Sequence, residues 1–145
     1  MANMLDYGQR VARGEAHPPP IARLLGFNIK SLEPGHALLE MDVAERHHNP
    51  MGTLHGGVYC DLADAAMGFA YAATLGDGES FTTIELKINF LKPIWKASLR
   101  AESKVVRAGK TVGLVECTVT DQKGDLVARA SSTCMTLRGE QAKGR

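Results

Sequence analysis

The sequence predicts a single α+β domain in which one long buried helix is wrapped by an antiparallel sheet. Two observations carry this. Residues 58–74, VYCDLADAAMGFAYAAT, are rich in Ala and apolar on nearly every helical face, the pattern of a helix with no solvent side. After Gly76-Asp77-Gly78, four strand-like runs follow one another, SFTTIELKINFL, KASLRAESKVVR, TVGLVECTVTD and DLVARASSTCMTL. A buried helix beside an antiparallel sheet satisfies both.

Taken in order, residues 1–16 have the spacing of a short amphipathic helix, which Pro18-Pro19-Pro20 stops because proline removes a backbone donor and disfavours helix in its predecessor. A second helical piece, IARLLGF, comes next. From Ala37 to Arg46 the chain alternates, with Leu39, Met41 and Val43 on one side and Leu38, Glu40 and Asp42 on the other, the period of a half-buried strand. Pro34-Gly35 supplies the turn before it. HHNPMGTLHGG reads as a loop entering the long helix.

In the first run after that helix, Thr82, Ile84, Leu86, Ile88 and Phe90 alternate with Thr83, Glu85, Lys87 and Asn89, so one face is expected to be covered. Breaks at Lys92-Pro93, Ala108-Gly109 and Gln122-Lys123-Gly124 carry hairpin turn residues. The expected division is an N-terminal helical segment 1–20, a main domain 21–138 and a polar tail 139–145.

Composition excludes several classes of function. The 145 residues carry a formal net charge of +1, so nothing draws the chain as a whole to nucleic acid or an anionic membrane. Any anionic ligand needs a local basic cluster. Cys60, Cys117 and Cys134 are odd in number and lack zinc-site spacing, which suits reduced thiols in a cytoplasmic protein and predicts no metal. The N-terminal MANMLDYGQRVARGEAH has no uninterrupted apolar stretch, so neither a signal peptide nor a membrane span is expected.

The most specific stretch is Asn49-Pro50-Met51-Gly52-Thr53-Leu54-His55-Gly56-Gly57, with Asp64 nine residues beyond His55. A helix N-terminus offers unpaired backbone N–H groups to a developing oxyanion, and glycines there let a substrate approach closely. Asp64 is too deep in the helix to cap it and stands among Leu62, Ala63, Ala65 and Ala66, so neither capping nor helix propensity accounts for it. A half-sequestered carboxylate can serve as general base or nucleophile. The plain alternative for Asp64 is a salt-bridged or solvated residue.

Together with VYCDLADAAMG and FTTIELKINFLKP, this stretch resembles the hotdog-fold acyl-CoA thioesterases of the phenylacetate-pathway (PaaI) type, over most of residues 21–137. The resemblance implies a central helix wrapped by the sheet, Asp64 as catalytic carboxylate, Gly56 as oxyanion donor with Gly57 as substitute, and roles for Asn49 and His55. It also implies a Thr on the following strand that orients water or nucleophile, which alignment places at Thr83, with Thr82 one residue away. An acyl-CoA substrate, no separate cofactor, and a dimer or dimer of dimers with shared sites follow from the same resemblance. In that arrangement the Asn49–Gly57 loop of one protomer faces Asp64 and Thr83 of the other.

Plainer readings stand beside these. Asp61, three residues before Asp64 on nearly the same face, is read as exposed, with the acid itself or a pair partner that raises the Asp64 pKa as the other readings. His55 is read equally as a structural donor to nearby carbonyls, and His47 and His48 as loop surface. Lys92, Lys96, Arg107, Lys110 and Arg138 lie near strand ends where CoA phosphates could meet them, and Lys92, Arg107 and Lys110 are the substrate-binding candidates alongside Gly57 and Thr82. Met67, Phe69, Phe81, Phe90 and Trp95 are the candidates for setting acyl length. Relatives with a hydroxyl one turn beyond the carboxylate contrast with Gly68 here. A silent acyl-CoA sensor and a hotdog hydratase are the alternative functions.

Overall fold

A computed structural model describes residues 3–145. The first helix, α1, covers Met4–Ala12, and the Asn3 side chain caps it by accepting the amides of Leu5 and Asp6. It is shorter than the 1–16 expected, and Met1 and Ala2 lie outside the described residues. The second helix, α2, spans Pro20–Leu25 with proline at its first position. Gly26, at φ 85°, closes it in the left-handed region that side chains avoid.

Two strands then form an antiparallel pair, β1 (Phe27–Glu33) and β2 (His36–Asp42), joined at Pro34-Gly35. The sequence reading missed β1 and assigned its start to the helical piece. A bulge between Ile29 and Ser31 shifts the register, so the buried residues fall at Phe27, Ile29 and Leu32 rather than at every second position. The following strand ends at Asp42, earlier than the expected Arg46, and a 3-10 turn at Glu45–His47 leads into the loop.

The long helix α3, Gly56–Ala72, is the one the sequence predicts. Leu62, Ala63, Ala66, Met67 and Ala70 are fully buried, and the alanines let it lie close against the sheet. The sheet has six antiparallel strands in the order β1-β2-β4-β5-β6-β3, where β3 is Ser80–Phe90, β4 Ser98–Ala108, β5 Val112–Thr120 and β6 Leu126–Leu137. Its inner face places Leu39, Leu99, Ala101, Val115, Val119 and Ala128 in the core. This is the expected helix wrapped by an antiparallel sheet.

Two expectations about the strands are corrected. Lys92-Pro93 is no hairpin turn, because β3 lies at the sheet edge beside β6 while β4 sits beside β2; residues 91–97 therefore cross the sheet. Nor does β3 keep one apolar face covered. A bulge between Thr83 and Glu85 reverses its alternation, leaving Ile84 and Phe90 more than half exposed while Leu86 and Ile88 turn toward the core.

Among the described residues no helix is long and apolar enough to cross a membrane, and the three cysteines are free thiols. No group of three or more His, Cys, Asp or Glu among them gathers as a metal site.

Candidate active site

Asp64 lies half-buried in the middle of α3, turned toward β3. The β3 bulge decides which threonine meets it: Thr83 Oγ1 donates to Asp64 Oδ1 at 3.1 Å. Thr82, one residue earlier, makes no such bond. Around this pair opens a cleft of about 350 Å³, lined by Phe27, Phe69, Phe81, Ala65 and Gly68 and by both Asp61 and Asp64. Met4 of α1 and Ile21 of α2 complete its wall. A Cβ at position 68 would stand 3.2 Å from the Phe81 ring, so the glycine keeps this wall open.

Asp61 is exposed, as the sequence reading has it, yet borders the same cleft. Partial burial pushes its carboxyl above the usual range, and the Asp64 charge adds to this. The Cys60 thiol is likewise pushed up, first by burial and then by both aspartates.

The loop ahead of α3 is built from its own side chains. Asn49 Oδ1 accepts the amides of Met51 and Thr53 at 3.0 and 3.1 Å, and Nδ2 donates to Thr53 Oγ1 at 2.8 Å. This is an Asx-type turn, so the Asn49 side chain is engaged in shaping the loop. His55 is the N-cap of α3: its Nδ1 accepts the Gly57 amide at 2.8 Å. Its exposed ring thus acts as acceptor to an amide, not as donor to a carbonyl. The Gly57 amide is therefore occupied, whereas that of Gly56 has no partner among the described residues. Gly56 opens onto a second cleft of about 340 Å³ with Asn49, Tyr59, Phe90 and Lys92. Burial raises the Tyr59 phenol to about 12.

Eight residues separate Gly56 from Asp64 on one helix, about 12 Å along its axis. The two lie in different clefts.

His47 corrects the sequence reading. It is buried, not loop surface, because its ring is a bridge: Nδ1 accepts the Ala44 amide at 2.9 Å, which leaves Nε2 to donate to the Leu25 carbonyl at 2.6 Å. His48 is half-buried against the Trp95 carbonyl.

The basic candidates do not form one cluster. Lys92 Nζ is held by Asp121 at 2.8 Å and Asp125 at 2.9 Å, and those bonds push its pKa well up. Arg138 is bound to Glu79 and to the Lys110 carbonyl. Arg107 and Lys110 are exposed at the opposite end of the sheet from Lys92. Of the acyl-length candidates, Phe69 and Phe81 line the Asp64 cleft and Phe90 the other, whereas Met67 is wholly in the core and Trp95 is 60% exposed. Met4, Ile21 and Phe27 were not singled out from the sequence; their signal was the apolar spacing of the two N-terminal helices and the start of β1.

With this geometry in place, the comparisons identify the class. A family model described as the thioesterase superfamily matches residues 51–128, from the loop through α3 into β6, and the chain belongs to that family. A Saccharolobus solfataricus protein whose name assigns it provisionally to the esterases is 39% identical over 124 residues, covering 85% of this chain and 88% of its own. The 1,4-dihydroxy-2-naphthoyl-CoA hydrolase of Listeria monocytogenes is 29% identical over 75% of this chain and 89% of its own. Among solved structures, the PaaI protein of the phenylacetic acid degradation operon of E. coli superposes with a TM-score of 0.82 at 25% identity, over 94% of this chain and 97% of its own. The protein is a thioester hydrolase of hotdog fold, as the resemblance implied.

Proposed function

We propose that the protein hydrolyses the thioester of an aryl- or medium-chain acyl-CoA to free CoA and a carboxylic acid, with Asp64 as the catalytic carboxylate. The observation that carries this is the Thr83–Asp64 hydrogen bond at the edge of an apolar cleft walled by three phenylalanines. Its volume is at the low end of small-molecule sites, which suits a compact acyl group. Thr83 holds one carboxylate oxygen and leaves the other for the reacting water or carbonyl carbon.

The oxyanion needs a donor that Asp64's own neighbourhood does not supply. The free Gly56 amide, at the positive end of α3, fills this role when it comes from a second copy of the chain. Two features support that reading: the separation of Gly56 and Asp64 by about 12 Å along the helix axis within one chain, and the 11-residue edge strand β3, whose outer side has no partner strand among the described residues. Water attacks directly with Asp64 as base, or hydrolyses an anhydride after Asp64 attacks. Both routes consume one water, and the reaction asks for no further cofactor.

The test is a panel of acyl-CoA substrates assayed by thiol release on wild type, Asp64→Asn and Asp61→Asn. The Asp64 variant is expected to lose at least about a hundredfold in turnover. Turnover preserved in Asp64→Asn, with Asp61→Asn crippled, overturns the assignment of the carboxylate. No turnover of any thioester favours the silent sensor instead.

A further inference from the structure

The Thr83–Asp64 pair rests on buried polar groups that the mechanism above does not use. Thr83 lies directly opposite Cys134 in the β3–β6 ladder, and Ser132 sits two residues before Cys134 on the same inward face of β6. Cys134 Sγ is 4.0 Å from Thr83 Oγ1 and 3.8 Å from Ser132 Oγ. Both Ser132 and Cys134 are fully buried, and Ser132 Oγ has no other partner among the described residues.

The direction of this chain follows from counting hydrogens. Thr83 has one hydroxyl hydrogen, which goes to Asp64, so it meets Cys134 with a lone pair and the thiol must donate. The sulfur is then free to accept, and Ser132 has a hydroxyl hydrogen with nowhere else to go. The result is one polarity throughout: Ser132 O–H to Cys134 S–H to Thr83 O–H to the Asp64 carboxylate. Burial pushes the Cys134 thiol up, and the Asp64 charge adds to this against its two hydrogen bonds, so the donor form is kept.

We infer that Cys134 is a positioning residue for thioester hydrolysis, its buried S–H fixing the Thr83 hydroxyl as a donor to Asp64. Its catalytic meaning rests on the proposed function, while the hydrogen bond itself does not. Without the thiol the Thr83 hydroxyl loses the donor that defines its orientation, and it can rotate away from the carboxylate.

Kinetics of the full chain test this through thiol release. Cys134→Ala and Cys134→Val are expected to lower kcat roughly two- to fivefold, the rate equivalent of one weak hydrogen bond, with KM unchanged. Cys134→Ser restores an O–H donor and recovers kcat, which a loss of packing alone would not produce. In a Thr83→Val background, Cys134→Ala should cost nothing further. Independently of turnover, the S–H stretching band of Cys134, isolated as the infrared difference between wild type and Cys134→Ser, should move to higher frequency in Thr83→Val. A band indifferent to Thr83 overturns the inference, as does wild-type kcat in both Cys134→Ala and Cys134→Val. If Asp64→Asn abolishes turnover while the Cys134 variants do not change it, only the positioning role falls. If Asp64→Asn is also fully active, the proposed site falls with it.

Discussion

Gly56→Pro is a perturbation that removes one hydrogen-bond donor and little else. Gly56 is the first residue of α3, a position proline favours because its fixed φ suits the helix and its missing N–H is unneeded there. The residue ahead must be extended, and His55 already sits at φ −66° and ψ 135°. The added Cβ would stand 3.1 Å from the rim of the Phe90 ring, which is half-exposed and free to give. Losing an oxyanion donor costs about 2.7–4 kcal/mol of transition-state stabilisation, roughly a hundred- to a thousandfold in kcat. Gly56→Ala, which makes the same contact but keeps the N–H, should lose less than about tenfold. Thiol release measures the rates, and circular dichroism melts check that the helix survives. Mixing then tests the shared site. When Gly56→Pro and Asp64→Asn chains are co-expressed, half the dimers are mixed, and each mixed dimer has one intact site, giving about a quarter of wild-type turnover. Turnover within tenfold of wild type in a folded Gly56→Pro protein refutes the donor role. A mixture no more active than the two parents refutes the division of the site between copies.

Two further outcomes follow from the ionisable groups. Burial pushes the Cys117 thiol up to about 12 from 9.0, so between those values the folded chain keeps a proton that the unfolded chain loses. Its contribution is whole below about pH 9 and declines by about 1.36 kcal/mol per pH unit above it. Urea midpoints from pH 8 upward should therefore fall less steeply in Cys117→Ala, by about one proton, and an unchanged slope would contradict the assignment. Lys92→Met should leave the KM for acyl-CoA within about twofold, because its ammonium is committed to Asp121 and Asp125. It should also lower the melting temperature, since the buried Asp121 loses its counterion. A severalfold rise in KM without loss of stability would return Lys92 to the substrate site.

The parts of this fold that were legible in the sequence depend on local pattern alone. Residues 58–74 could be read as a buried helix because apolar residues recur on nearly every helical face, and the loop–helix motif marked Gly56 and Asp64 by spacing. The parts that were not legible depend on bulges or on strand order. One extra residue between Ile29 and Ser31 hid β1, and another after Thr83 left Thr82 and Thr83 equivalent on paper, since a shift of one residue exchanges the faces of a strand. Strand order is not written in local pattern, so the crossing from β3 at the sheet edge to β4 beside β2 resembled a hairpin turn at Lys92-Pro93. His47 looked like surface for a related reason: its two partners, Ala44 and Leu25, are brought to it only by the turn and the end of α2.

The same distinction separates the candidate site residues whose relation could be read from spacing from those that only the fold brings together. Asp64, Gly56 and His55 lie on one helix and its cap, so their relation is a fixed number of residues. Thr83 is joined to Asp64 only because β3 runs beside α3, and Cys134 to Thr83 only because β6 pairs with β3 across 51 positions of sequence. An apolar strand with a serine and a cysteine on its inward face is unremarkable until its neighbour is known. Once β3 is placed at the edge with Thr83 turned inward, a buried hydroxyl and a thiol beneath a carboxylate must be hydrogen-bonded or costly. Among the described residues the carboxylate this chain reaches is Asp64, so the polarity of two buried side chains and the half-buried Thr83 converges on the group that the helix motif had already singled out.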